Sequence, residues 1–361
     1  MSDEFDYVIV GAGSAGCVLA NRLSVDRNCR VLLLEAGGDD RPLRNPAQLR
    51  SNMMIQIPIG FGRTLNDPKV NWLYETEPDP SGRAHKWPKG KVLGGSSSIN
   101  GLLYIRGQSA DFDDWRDAGC TGWGFRDVLP YFCRSENQER GENEWHGVGG
   151  PLNVSDFSTR HPLSAVMLEA CVQAGIPRSE DVNGAQQEGA SWFQINVRGG
   201  RRCSTAVGYL HPVMHRPNLR VETNALAERV VFDGRRATGV EYYDSNDRLQ
   251  SQPADLVVVS ACAVESARLL LNSKDKLHPN GIGNTHDWVG RNLQGHTYTG
   301  AFGLLDQDCY DDLGPGAGIA ICDYNHGNPG LRGGAMLART LRKGFFGFGF
   351  NHLTIDDRGA V

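Results

Sequence analysis

No run of apolar residues in this chain approaches the roughly 18 needed to cross a membrane as a helix, so a transmembrane segment is not expected. Basic charge is short as well: 37 Lys and Arg face 42 Asp and Glu, a formal net charge of -5. That balance leaves no electrostatic footprint for nucleic acid. The opening MSDEFDYVIV carries no basic-then-apolar leader, and these absences together predict a soluble cytoplasmic protein. CxxC pairs are missing too. The nine cysteines are scattered, and an odd number in a leaderless chain argues for free thiols rather than a disulfide framework or a zinc site. No metal is therefore expected. At 361 residues and 40% apolar composition, the chain has material for about two domains.

Glycine, by contrast, is abundant, with 45 residues. In such a chain a lone G-x-G-x-x-G motif is weak evidence, and its setting has to make it specific. Here Tyr7, Val8, Ile9 and Val10 form a short β-branched run that predicts a strand, and Gly11, Gly13 and Gly16 follow it directly. Gly11 permits a tight reversal, Gly13 lets the backbone approach a pyrophosphate, and Gly16 lets the next helix pack close to the strand. The helix expected from Ser14 and Ala15 onward aims free N–H groups and its positive dipole end at phosphate. Val18, Leu19 and Leu23 supply its apolar positions. A second apolar strand, Val31 to Leu34, delivers Glu35 and Ala36, about twenty residues past the last glycine. An acid there hydrogen-bonds ribose hydroxyls and repels a 2′-phosphate, which favours FAD or NAD over NADP.

A second glycine-rich segment decides between these by likeness. Residues 90–113, GKVLGGSSSINGLLYIRGQSADFD, resemble the signature of the glucose-methanol-choline (GMC) family of FAD-dependent oxidoreductases. Further landmarks follow in the family's order: NWLYETEP at 71–78, GWGFRDVLPYF at 122–132, HGVGGPL at 146–152 and RCSTAVGYL at 202–210. SACAVESARLLLNS at 260–273 matches the second signature more loosely, with Cys262, Val264 and Glu265 departing from it. VGRNLQGH at 289–296 restores the likeness, which covers roughly 4–300 and is closest to bacterial choline-dehydrogenase-like alcohol dehydrogenases.

The resemblance implies an α/β fold, α+β overall, with a Rossmann-like FAD-binding domain and a smaller, discontinuous substrate domain on an antiparallel sheet. It places the FAD-binding domain at 1–154 and 198–300, with a flavin-covering insertion at about 40–90. The substrate domain takes 155–197 and 301–361. By the same likeness Val92, Gly94, Gly95 and Ser96 contact the cofactor, with Asn100, Gly101 and Leu103 toward the flavin. Trp72 belongs to the covering segment, Ala227 lends backbone to the adenine, and the chain passes the cofactor again at Ser260 and Ala261. Covalent members carry a histidine directly before the asparagine. This chain has Ile99, so FAD is expected to be bound non-covalently.

The implied reaction is oxidation of a small alcohol, CH-OH to aldehyde or ketone, by hydride transfer to flavin N5. It needs a base for the hydroxyl proton, which the family supplies as a histidine in a carboxy-terminal portion that this sequence lacks. The catalytic residues are therefore unknown. His352 and His296 are weak candidates, and His85, His146 and His161 read as ordinary loop histidines. The alcohol and the electron acceptor are not named by the sequence. Two alternatives stay open: a flavin-binding but catalytically incomplete or split subunit, and a different chemistry on the same fold, such as a hydroxynitrile lyase. The polar stretch RSENQERGENE at 134–144 reads as a solvated loop or helix end.

Overall fold

Apolar strands buried on both faces organise the molecule. The computed structural model describes residues 4–295, 318–322 and 336–338. These fall into two compact units: 4–56, 64–100 and 202–295 form the first, and 57–63, 101–201, 318–322 and 336–338 the second.

In the first unit, β1 (Phe5–Val10) and β2 (Val31–Glu35) run parallel at the centre of a six-stranded sheet. Val8, Ile9, Leu32 and Leu33 have no exposed surface. Continuous apolar character, rather than alternation, is what a parallel strand covered on both faces requires. Burial of each such side chain stabilises the fold by about 1.5–3 kcal/mol. Leu219–Thr223 extends the sheet beyond β2 in parallel. The strand Leu249–Val259 has two partners: its second half runs parallel to β1, and its first half pairs antiparallel with Arg236–Tyr243. Arg236–Tyr243 pairs in turn with Leu226–Asp233 in a hairpin that turns just after Asp233, at Gly234.

Helix α1 (Ser14–Leu23) joins β1 to β2. Its buried face is Gly16, Cys17, Ala20 and Asn21, whereas Val18, Leu19 and Leu23 are only half-buried. The helix's largest apolar side chains are thus not its innermost ones. The helix sits so near the strand end that a Cβ on Gly16 would lie 1.9 Å from the Gly11 carbonyl oxygen. Only small residues fit such an approach.

The second unit contains a three-stranded antiparallel sheet of Ala190–Trp192, Ile319–Ile321 and Met336–Ala338. Helix Pro162–Gln173 contributes Leu168 to a core with Ile176, Ala190, Ile319 and Ile321. The unit also buries charge. Strand Glu136–Gln138 pairs in parallel with Leu152–Val154, and Glu136 and Gln138 are 0% and 3% exposed. This corrects the expectation of a solvated loop or helix end at 136–138 alone: the helix Phe125–Ser135 ends within the stretch, and Arg134, Glu139, Arg140 and 142–144 are exposed. Glu136 Oε1 lies 2.9 Å from Arg106 Nη2 and 2.7 Å from His146 Nδ1, while His146 Nε2 lies 2.7 Å from Asp181 Oδ2. His146 is therefore a buried ion-pair partner, not a loop histidine. His161 caps the helix that follows it, its Nδ1 accepting from the Leu163 N–H at 3.1 Å. Among the described residues, no helix is long and apolar enough to cross a membrane.

Candidate cofactor site

The two glycine-rich segments, far apart in sequence, meet in the first unit. The Gly94 N–H donates to the Ala12 carbonyl at 2.8 Å, and a Cβ on Gly95 would lie 2.8 Å from Gly13 Cα. The second turn therefore rests on the first with no room for a side chain between them. Gly94 and Gly95 both have positive φ, 85° and 53°, which glycine adopts at little cost. Val92, fully buried, forms a parallel bridge with Gly38 just past β2.

The first turn is fixed from below. Gly11 has φ 96°, and a Cβ there would lie 2.7 Å from the Ser260 carbonyl oxygen and 2.8 Å from Ala261 Cα. The Ser260 hydroxyl donates to the carbonyls of Val10 and Gly11, both at 3.0 Å. Ala261 caps the helix Cys262–Asn272. Gly13 caps α1 and meets nothing within 4 Å in the Cβ direction. Ser14 and Ala15 follow it, exposed, on the first turn of the helix. This is a backbone cradle with an open face at a helix N-terminus, the setting that binds phosphate.

Glu35 ends β2 and turns back toward the cradle. Its Oε2 accepts from the Ala12 N–H at 2.9 Å and its Oε1 from the Gly37 N–H at 2.8 Å. Burial pushes its carboxyl up to about 7, against the opposing pull of those two N–H groups and of Lys91. Each oxygen keeps a lone pair for a further donor such as a ribose hydroxyl. Ala36, half-buried, continues from it. On the covering segment, Trp72 stacks on Tyr74 with ring centroids 5.8 Å apart, and Lys91 Nζ lies 4.5 Å from the Trp72 ring centroid. Tyr74 Oη in turn bonds Glu265 Oε1 at 2.5 Å. Glu265, one of the departures from the second signature, thereby ties the covering segment to the helix Cys262–Asn272. The neighbouring Arg268 donates to the Ala227 carbonyl at 3.2 Å.

The serines of the second turn act largely on the turn itself. Ser97 and Ser98 donate to the carbonyls of Gly94 and Leu93 at 2.6 and 2.7 Å, and Ser96 Oγ accepts from the Gly90 N–H at 3.2 Å. Ile99 is 2% exposed in an apolar cluster with Ile55, Val70 and Val92, so its side chain is committed to the core. Asn100 is held by Arg202, a residue absent from the sequence-level candidates: Nη1 donates to Asn100 Oδ1 and Nη2 to its carbonyl, each at 2.8 Å. RCSTAVGYL was the signal that could have pointed to it. Gly101 and Leu103 fall in the second unit, where Leu103 pairs with Ile195. His296 and His352 lie outside the described residues.

Strain marks the same segments. Of the described non-glycine residues at positive φ, four are Asn or Asp, which tolerate that region, and three are Leu73, Leu102 and Cys262. Those three lie in the covering segment, the first signature and the second signature. Costly backbone conformations of this kind gather at functional sites. Among the described residues, no group of three or more His, Cys, Asp or Glu could hold a metal ion. The glycine cradle, the open face at Gly13 and the buried acid at Glu35 fit a dinucleotide carrying an unphosphorylated ribose.

Comparison with known proteins agrees with this geometry. The GMC oxidoreductase family model matches residues 5–298. Mitochondrial choline dehydrogenase of Mus musculus is 45% identical over 309 residues, covering 81% of this chain and 50% of the relative. Oxygen-dependent choline dehydrogenase of Pseudomonas putida is 46% identical over 309 residues, covering 82% and 53%. Among solved structures, pyridoxine 4-oxidase from Mesorbium loti aligns with a TM-score of 0.68 at 34% identity, over 74% of this chain and 52% of that one. The chain spans about half the length of the curated relatives it matches.

Proposed function

Because this chain belongs to the GMC oxidoreductase family, we propose that it holds FAD non-covalently on the joined glycine turns and serves the oxidation of a small alcohol. The observation that carries this reading is the contact of the two turns, Gly94 on Ala12 and Gly95 on Gly13, beside Glu35. In this reading 1–154 and 198–300 form the FAD-binding domain, and 155–197 and 301–361 the substrate domain. The backbone around Gly11, Gly13 and Ser14 would hold the pyrophosphate and Glu35 the adenosine ribose. Asn100, with Gly101 and Leu103, would serve the flavin end. When bound, FAD would supply the hydride acceptor at flavin N5. The chain's own part is to orient the dinucleotide and, through Trp72 and the covering segment, to exclude water.

The relatives make choline the first alcohol to test, and they differ in setting: one is described as mitochondrial, another as oxygen-dependent. A cytoplasmic location and an unspecified electron acceptor belong to this proposal. The test is to load the purified chain with FAD, add choline or another primary alcohol without oxygen, and follow flavin absorbance. Flavin that bleaches, and that acid precipitation then releases from the protein, supports the reading. A chain that binds no FAD sinks it. A second reading is that FAD binds but the base comes from elsewhere; bound flavin that no alcohol bleaches is its signature.

A further inference from the structure

We propose that Arg202 is the built-in counter-charge of the dinucleotide site: it braces the second glycine turn from behind and leaves one buried positive charge uncompensated until an anionic cofactor binds. The inference rests on the FAD reading above and assigns a role to a residue outside both glycine motifs.

Arg202 is 2% exposed, and its guanidinium makes four hydrogen bonds. Nε donates to the Ile55 carbonyl at 2.9 Å, Nη1 to the Ser97 carbonyl at 3.1 Å and to Asn100 Oδ1 at 2.8 Å, and Nη2 to the Asn100 carbonyl at 2.8 Å. Every acceptor is neutral. Among the described residues no carboxylate pairs with it, and burial alone draws the guanidinium down, to about 10. It is cationic at neutral pH. Buried charges in folded proteins are ordinarily paired, and the other deeply buried arginine, Arg106, follows that rule with Glu136 at 2.9 Å.

The exception has a location that gives it meaning. The carbonyls that Arg202 grips bracket the end of the turn, Ser97 and Asn100, and the start of that turn is bonded to the phosphate cradle through Gly94 and Ala12. The grip also fixes which end of the Asn100 amide faces inward, because Oδ1 is the atom that accepts. A dinucleotide brings a diphosphate of opposite charge to the same unit. In a low-dielectric interior the attraction between the two is weakly screened, so the cost of burying Arg202 is offset by the bound anion. Arg202 is thus a positioning residue whose charge is spent on binding.

Neutral variants Arg202→Gln and Arg202→Met, with the charge-retaining Arg202→Lys, test this on the whole chain. Circular dichroism of the cofactor-free proteins reports folding, and quenching of flavin fluorescence reports FAD affinity. The expected result is folded neutral variants whose FAD dissociation constant rises at least about 30-fold, with Arg202→Lys recovering most of the affinity. Neutral variants that bind FAD within about threefold of the unmodified chain overturn the proposal. So does equal loss in the lysine variant, which would leave geometry and not charge in control. Neutral variants that unfold without cofactor also overturn it, by showing that the charge belongs to the fold itself. Failure of the unmodified chain to bind FAD is a separate result and removes the reading beneath.

Discussion

Two buried sites, one in each unit, hold charge in opposite ways. In the first, Glu35 and Arg202 are each surrounded by neutral backbone and amide groups, with only Lys91 acting on Glu35 from nearby. In the second, Arg106, Glu136, His146 and Asp181 pair with one another in a chain of contacts between 2.7 and 2.9 Å. A charge left without an internal counter-charge is poised for a ligand, and a charge that is paired is structural. The difference is consistent with the proposed ligand site beside Glu35 and Arg202, and it makes the polar network around Glu136 a brace. That brace ties the end of the first signature at Arg106 to segments around 136, 146 and 181.

Breaking the brace should have the largest effect. Glu136→Ala leaves Arg106 and His146 buried without their shared carboxylate, and removal of one partner from a buried ionic network costs about 3–5 kcal/mol. Urea unfolding of the variant should show a loss of that size. A change under about 1 kcal/mol would mean that the network is not closed in solution and that the contrast between the units fails.

Much of this contrast was hidden in the sequence. The strand, glycine turn, helix and Glu35 were legible because each is set by neighbours along the chain. The second turn was legible only through a family likeness, since nothing local shows that Gly94 will lie on Ala12. Glu136 and Gln138 read as solvated because partners such as Arg106 and Gln194 come from distant segments, and a charged side chain carries no local sign that its counter-charge will fold onto it. Helix α1 misled for a related reason. Amphipathic spacing selects the largest apolar residues, but a helix touching backbone buries its smallest ones. The role of Arg202 was not legible within its motif, because its four neutral acceptors come from Ile55 and the 97–100 turn, both about a hundred residues or more away in sequence.

The next effect is a pair of pH windows that sharpens the comparison. Burial alone would pull the His146 imidazolium down, but the bonds from Asp181 and Glu136 win and raise it to about 9, above the ordinary 6.5. A raised folded-state value stabilises the fold at low pH. Its contribution is complete below about pH 6.5 and is lost as pH rises through about 9. Glu35, raised by burial to about 7 from 4.5, has the same sign in a lower window. Its contribution is complete below about pH 4.5 and is lost as pH rises through about 7. Each amounts to about 1–3 kcal/mol in the cofactor-free chain. Urea midpoints measured across pH should therefore fall in two stages, with His146→Gln flattening the upper stage and Glu35→Gln the lower. A single stage abolished by either variant would show that the two groups are coupled and that the units do not bury charge independently.

The smallest effect runs in the opposite direction and tests where strain is kept. Cys262 opens the helix that follows Ser260 and Ala261, with φ 62° and an exposed side chain. A left-handed conformation costs a non-glycine residue about 1–2 kcal/mol. Glycine escapes that cost but loses about 0.5–1 kcal/mol through the greater freedom of its unfolded chain. Cys262→Gly should accordingly stabilise the protein by about 0.5 kcal/mol, seen as a small rise in the urea midpoint with an unchanged slope. A drop instead would mean that the thiol makes packing contacts worth more than the relief. In that case the positive φ at the second signature reflects a held side chain, and the first unit stores its strain elsewhere, at Leu73.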